Sequence, residues 1–160
     1  MFTQKLLLNP TKRGKQRAKL LANGSSYTPL RRTKDGQFSP MKTHTVMCVD
    51  DDAGIRELYG ALLGQNGYQV IAANSGRHAL HVFESKEKEI DAVILDYEMP
   101  GMNGLELAAW LKQRHPKLPV IMISGSHPEP QQMAPFVDVA MGKGVPLRHI
   151  LDRLQVLLAT

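Results

Sequence analysis

From position 44 onward the apolar residues of this chain follow two alternating patterns. Four short continuous runs, Thr45–Val49, Gln69–Ala72, Ala92–Leu95 and Val120–Ile123, are bounded by Asp, Asn, Gly or Pro, as strands buried on both faces should be. Between them the apolar positions take helical spacing. Ile55, Leu58, Tyr59, Leu62 and Leu63 stand at i, i+3, i+4, i+7 and i+8 and are closed by Asn66-Gly67; Leu147, Ile150, Leu151, Leu154 and Leu158 repeat the pattern at the C-terminus. Ser75 is placed to cap a helix reaching Ser85, and Gly104–Arg114 forms another that stops before Pro116. A weaker fifth strand is read at about Val139–Gly142. The order βαβαβαβ(α)βα with short loops predicts an α/β fold, a doubly wound five-stranded parallel sheet with right-handed crossovers, in one domain over 44–160.

Charge divides the chain at the same place. Residues 1–43 hold ten Lys/Arg and one acid, Asp35, whereas residues 44–160 hold ten Lys/Arg and fourteen acids. The basic segment has one apolar knot, Leu6–Leu8, and is interrupted by Pro10, Pro29, Pro40 and glycines. It is therefore expected to be a disordered extension, because it offers little apolar surface to offset chain entropy. Leu6–Leu8 lacks the apolar core and cleavage site of a secretory signal; an organellar transit peptide, or an over-extended start with Met41 as the true first residue, both fit. The lone Cys48 excludes an internal disulfide and points to a reducing compartment, the cytoplasm. No apolar run approaches the length needed to span a bilayer.

In doubly wound sheets ligands sit at the carboxyl ends of the strands. The first predicted strand ends in Asp50-Asp51-Asp52, the third in Asp96, the fourth in Ser124 and the fifth in Lys143. Carboxylates gathered on one rim repel one another unless a cation lies between them, and Mg²⁺ is the cation suited to oxygen ligands beside phosphate. A carboxylate beside that metal can attack phosphorus, while a hydroxyl and an ammonium hold the transferred oxygens.

Val49-Asp50-Asp51, the stretch Leu95–Gly104 with its Asp96-Tyr97-Glu98-Met99-Pro100-Gly101, Ile121–Gly125 and Lys143 together resemble the receiver domain of bacterial response regulators, with the single-domain chemotaxis regulator as simplest type. The resemblance covers 44–160 and implies the flavodoxin-like fold. It implies that Asp96 accepts a phosphoryl group from a phosphohistidine on a sensor histidine kinase or phosphotransfer protein. It implies that Asp51, Asp96 and the main-chain carbonyl of Glu98 ligate Mg²⁺, with Asp50 acting through water. Ser124 would bind a phosphoryl oxygen, Lys143 would pair with its charge, and the small Gly125 would leave the approach open. Such a domain is not an enzyme beyond assisting its own phosphorylation and dephosphorylation, and with nothing after Thr160 it is expected to signal by contact with a downstream protein or within a phosphorelay.

Some positions depart from the family. Ala140 stands three residues before Lys143, where receivers often carry a switch aromatic, and Gly144 replaces the proline that usually follows the lysine. The 124–138 stretch is short and holds Pro128, Pro130 and Pro135, so helix four is expected to be short or irregular. These departures leave open a receiver-like docking module that does not switch. Two further alternatives are a haloacid-dehalogenase-type phosphatase using Asp50-x-Asp52, which lacks the acidic pair expected after Lys143, and weak electrostatic nucleic-acid binding by the basic tail. Asp52 also reads as a helix cap, Cys48 and Trp110 as packing, and His78 with His81 as helix surface.

Overall fold

The computed structural model describes residues 7–8, 18–21, 27–32, 35–40, 43–126 and 130–159. The chain divides into two compact units, Met1–Thr43 and His44–Thr160. In the first, β1 (Leu7–Leu8), β2 (Ala18–Leu21), β3 (Tyr27–Arg32) and β4 (Phe38–Pro40) pair antiparallel in chain order. This differs from the expected segment without regular structure, and the reason is local. Each strand pairs with its neighbour in the chain, and the last connection contains Asp35-Gly36 with Gly36 at φ 84°, a conformation glycine adopts without steric cost. A meander of this kind satisfies its backbone hydrogen bonds without a large core. Met41 and Pro128 lie outside the described residues.

The second unit is a five-stranded all-parallel sheet in the order β6 (Gln69–Ala73), β5 (Thr45–Val49), β7 (Ile90–Asp96), β8 (Val120–Ser124), β9 (Val139–Gly142). The helices are α1 (Ala53–Gln65), α2 (Gly76–Lys86), α3 (Gly104–Arg114), the single turn α4 (Pro130–Met133) and α5 (Leu147–Leu158). The predicted order holds, helix four is short, and the differences sit at strand ends: β7 starts two residues earlier and runs through Asp96. All five residues of β5 and of β8 are buried, whereas the edge strands β6 and β9 are only partly so.

Alternate strand residues feed two cores. Val46, Cys48, Ala92, Ile94, Ile121 and Ile123 pack with Tyr59 and Leu63 of α1 and Ile150 and Leu154 of α5. Met47, Val49, Val93, Leu95, Val120 and Met122 pack with Ala79 and Phe83 of α2, Leu107, Ala108 and Leu111 of α3, and Met133 of α4. Leu58 is the one member of the predicted α1 stripe that faces water, 43% exposed. Phe83 meets Trp110 edge to face at 6.2 Å, and the Arg114 guanidinium lies 3.9 Å from the Trp110 ring centroid, so Trp110 is a packing residue.

Local chemistry fixes the helix starts. Asp52 accepts from the Ile55 N–H (3.1 Å) and Ser75 from the His78 N–H (3.2 Å). Asn103 and Glu106 form a capping box, worth about 1 kcal/mol by comparison with other caps. With α4 reduced to one turn, β9 is secured elsewhere. The Asp138 carboxylate accepts both the Lys112 ammonium and the Val120 N–H, each at 2.7 Å, joining the start of β9 to α3 and β8. An exposed ion pair alone contributes about 0–1 kcal/mol, but this carboxylate also satisfies a backbone donor of a buried strand.

Cys48 has no exposed surface, and burial, with Asp50 nearby, pushes its thiol up to about 12. At pH 8 its thiolate population is lower by roughly a thousandfold than that of an ordinary cysteine. Native protein is therefore expected to resist a thiol reagent at pH 8 and to react with one equivalent once unfolded; rapid native labelling would mean that β5 opens readily.

Candidate functional site

The order of the sheet brings the strand-end residues together. The chain leaves β5 toward β6 on one side while β7 lies on the other, so a crevice opens at the carboxyl ends of β5 and β7. Asp50 follows β5 and Asp96 ends β7; they are 2% and 1% exposed, while Asp51 faces solvent. One carboxylate oxygen from each of Asp50, Asp51 and Asp96 lies within 4.8 Å of the others, and no other such group of metal-ligating side chains occurs among the described residues.

Hydrogen bonds hold this arrangement. The Asp52 N–H donates to Asp50 Oδ1 at 2.9 Å, and the Arg56 guanidinium donates to the Asp50 carbonyl at 2.7 Å. Lys143, just beyond β9, reaches Asp96 Oδ2 with Nζ at 2.9 Å, and the Glu98 N–H donates to Asp96 Oδ1 at 3.2 Å. Burial raises the Asp50 pKa; the Asp52 N–H and the Lys143 charge oppose this, but the charges of Asp96 and Asp51 add to it. Burial pulls the Lys143 ammonium down, but its hydrogen bond to Asp96 and the charges of Asp96, Asp50 and Glu98 outweigh that and hold it above the usual lysine value.

Ser124 is buried at the end of β8, and its hydroxyl donates to the Ser126 carbonyl at 2.6 Å. A Cβ at Gly125 would lie 2.9 Å from Glu98 Oε2 and 3.7 Å from Lys143 Cδ, so the exposed Glu98 side chain reaches Gly125. Asp52 serves as the α1 cap, so it is not presented beside Asp50 as the phosphatase reading requires.

Two glycines and an arginine matter more than their sequence signals suggested. Gly104 was legible as a helix start, but its tighter constraint is that a Cβ there would overlap the Asp96 carbonyl oxygen and crowd Leu95 and Tyr97. Its N–H donates to the Tyr97 carbonyl at 3.0 Å, fixing the turn after Asp96. Gly76 carried no readable signal, since its partner, Met102, is set by tertiary packing, and Arg56 reaches the Asp50 carbonyl back across the turn that starts α1.

Fold and site thus define a doubly wound α/β domain with an acidic cluster and one lysine at the carboxyl edge of its sheet. The response regulator receiver domain matches residues 46–144, and the chain belongs to that family. It is 39% identical over 88 residues to the putative two-component response regulator ARR21 of Arabidopsis thaliana, covering 55% of this chain and 14% of that protein. It is 33% identical over 116 residues to the response regulator MprA of Mycolicibacterium vanbaalenii, covering 71% of this chain and 49% of that one. It therefore spans about half or less of these curated relatives. The solved structure of the response regulator TrrA of Thermotoga maritima, in complex with Mg²⁺-BeF, aligns at 28% identity and a TM-score of 0.66, covering 72% of this chain and 99% of that one. Among the described residues no helix is long and apolar enough to cross a membrane.

Because the folded-state pKa of Asp50 lies above its ordinary value of 3.8, the unfolded chain ionises first as pH rises. Ionised Asp50 then opposes folding from that pH upward. In chelator, Asp50→Asn is expected to melt above the wild type at pH 7, with a gap that closes as pH falls through the carboxylate range. A variant melting at or below the wild type at pH 7 would show that the buried charge is already compensated.

Proposed function

We propose that this receiver accepts a phosphoryl group on Asp96 from a phosphohistidine of a sensor histidine kinase or phosphotransfer protein, and signals through altered contact with a downstream protein or onward phosphotransfer. The observation that carries this reading is the placement of Asp96. It is buried at the end of the central strand, within 4.8 Å of the Asp50 and Asp51 carboxylates and 2.9 Å from Lys143 Nζ. An Asp96 carboxylate oxygen forms the O–P bond as the P–N bond to the donor histidine breaks, and the freed imidazole nitrogen keeps the electron pair of that bond. Lys143 stays beside the acylphosphate as a fixed cation. The Ser124 hydroxyl turns from the Ser126 carbonyl to a phosphoryl oxygen, so acceptance at Asp96 costs the 125–126 turn a hydrogen bond.

The donor set is made of hard oxygens only, which suits Mg²⁺. Asp51, Asp96 and the Glu98 main-chain carbonyl would hold it, with Asp50 acting through water. When bound, the ion offsets the charge of these carboxylates and of the incoming phosphoryl oxygens. Residues 1–43 are not needed for acceptance, since every group named lies in 44–160.

Mg²⁺-dependent incorporation of one phosphoryl group from a small-molecule phosphodonor, read by intact mass, is expected for the wild type and lost in Asp96→Asn. Asp51→Ala should weaken Mg²⁺ binding and labelling together. Full labelling of Asp96→Asn would move the acceptor elsewhere.

The output is expected to be local. β9 carries the exposed Ala140 where an aromatic switch would stand, and α4 is a single turn, so the element that normally answers Ser124 is missing. A ligand shifts an equilibrium only through its differential interaction with the two states. Hydrogen exchange with Mg²⁺ and beryllofluoride should change protection in peptides covering 125–136 and 143–146. Broad protection across α5 without change in 125–136 would restore the usual switch. Ala140 and the short α4 also favour a second reading, a docking module that binds without switching, for which no peptide outside the metal site would change.

A further inference from the structure

The loop between β7 and α3 carries Glu98 and starts at Asp96, so its position decides whether their oxygens converge. On one flank it is fixed by Gly104 against the Asp96 carbonyl and by the Asn103–Glu106 capping box. On the other flank it meets the first turn of α2. Gly76 is buried there, and a Cβ on it would come within 2.8 Å of Met102 Cβ and Cγ and 2.9 Å of the Met102 carbonyl oxygen, closer than Cβ atoms approach other groups. Gly76 is not among the glycines with positive φ, so its backbone conformation does not demand glycine. Alanine is the better helix former. What excludes a side chain at Gly76 is Met102.

Burial decides which side of this contact would yield. α2 is anchored by Ala79 and Phe83, 0% and 1% exposed, and by the Ser75 cap on the His78 N–H. The loop is held by one buried residue, Met99, with Met102 only partly buried, and presents Glu98, Pro100 and Gly101 to solvent, with Gly101 at φ 81° in a turn. A close-packed helix transmits strain to the less packed partner. A side chain at Gly76 would therefore push Met102, and with it the stretch leading back to Glu98 and Asp96.

We propose that Gly76 is a positioning residue for the acidic cluster: by lacking a side chain it lets α2 buttress Met102 and hold the β7–α3 loop where the Glu98 carbonyl and Asp96 serve one divalent cation. This rests on the reading of the cluster as a Mg²⁺ site. Groups that orient metal ligands from behind typically change affinity by about 10–100-fold when altered.

The test is Mg²⁺ titration by calorimetry on the full chain, beside thermal melts in chelator. Gly76→Ala should weaken Mg²⁺ about tenfold or more. Met102→Gly, which removes the side-chain part of the contact and crowds nothing, should weaken it in the same direction and keeps the test open if Gly76→Ala does not fold. Leu63→Ala, which opens the core on the opposite face of the sheet and touches neither α2 nor the loop, should lower the melting temperature while leaving Mg²⁺ affinity within twofold. Wild-type affinity in Gly76→Ala or in Met102→Gly would overturn the proposal, as would an equal loss in Leu63→Ala. Failure of the wild type itself to bind Mg²⁺ would instead remove the metal-site reading, and this inference with it.

Discussion

The structure turns on the gathering of negative charge at one rim of the sheet. Asp50 and Asp96 are taken out of water beside each other and beside Asp51, and the ammonium in contact is Lys143, on Asp96. Like charges at this spacing oppose folding unless something offsets them, and the surroundings do so only in part. The Asp52 and Glu98 N–H groups and Lys143 supply donors, yet the Asp50 pKa remains raised. The rim is thus left with an appetite for positive charge.

Much of this was legible in the sequence because the strands carry it. β5, β7 and β8 lie inside the sheet, so their residues are apolar almost without interruption, and the first polar residue after each run marks the carboxyl edge. Asp50, Asp96 and Ser124 are read from that break alone, and the weaker β9 places Lys143 in the same way. The caps at Asp52, Ser75 and Asn103 are equally local.

The features that were not legible depend on residues distant in sequence or on chain direction in space. Glu98 reaching Gly125 requires the β7–α3 and β8 loops to be neighbours, and a sequence shows only that Gly125 is small. Leu58 fits the helical stripe of α1 but falls at its margin, where it faces water. The strands within 1–43 were hidden for a different reason: charge and proline count against a buried core, whereas an antiparallel meander rests first on backbone pairing between neighbours.

The tie made by Asp138 separates two jobs that a helix would otherwise share. Since α3 and β8 hold the start of β9, the register that brings Lys143 to Asp96 has an anchor besides α4. Outside Gly125, Ser126 and the buried Met133, length and composition between Ser124 and Asp138 are then less tied to the contact between Lys143 and Asp96. That stretch becomes the part of the domain where residues can be inserted, removed or exchanged while the contact between Lys143 and Asp96 stays as it is.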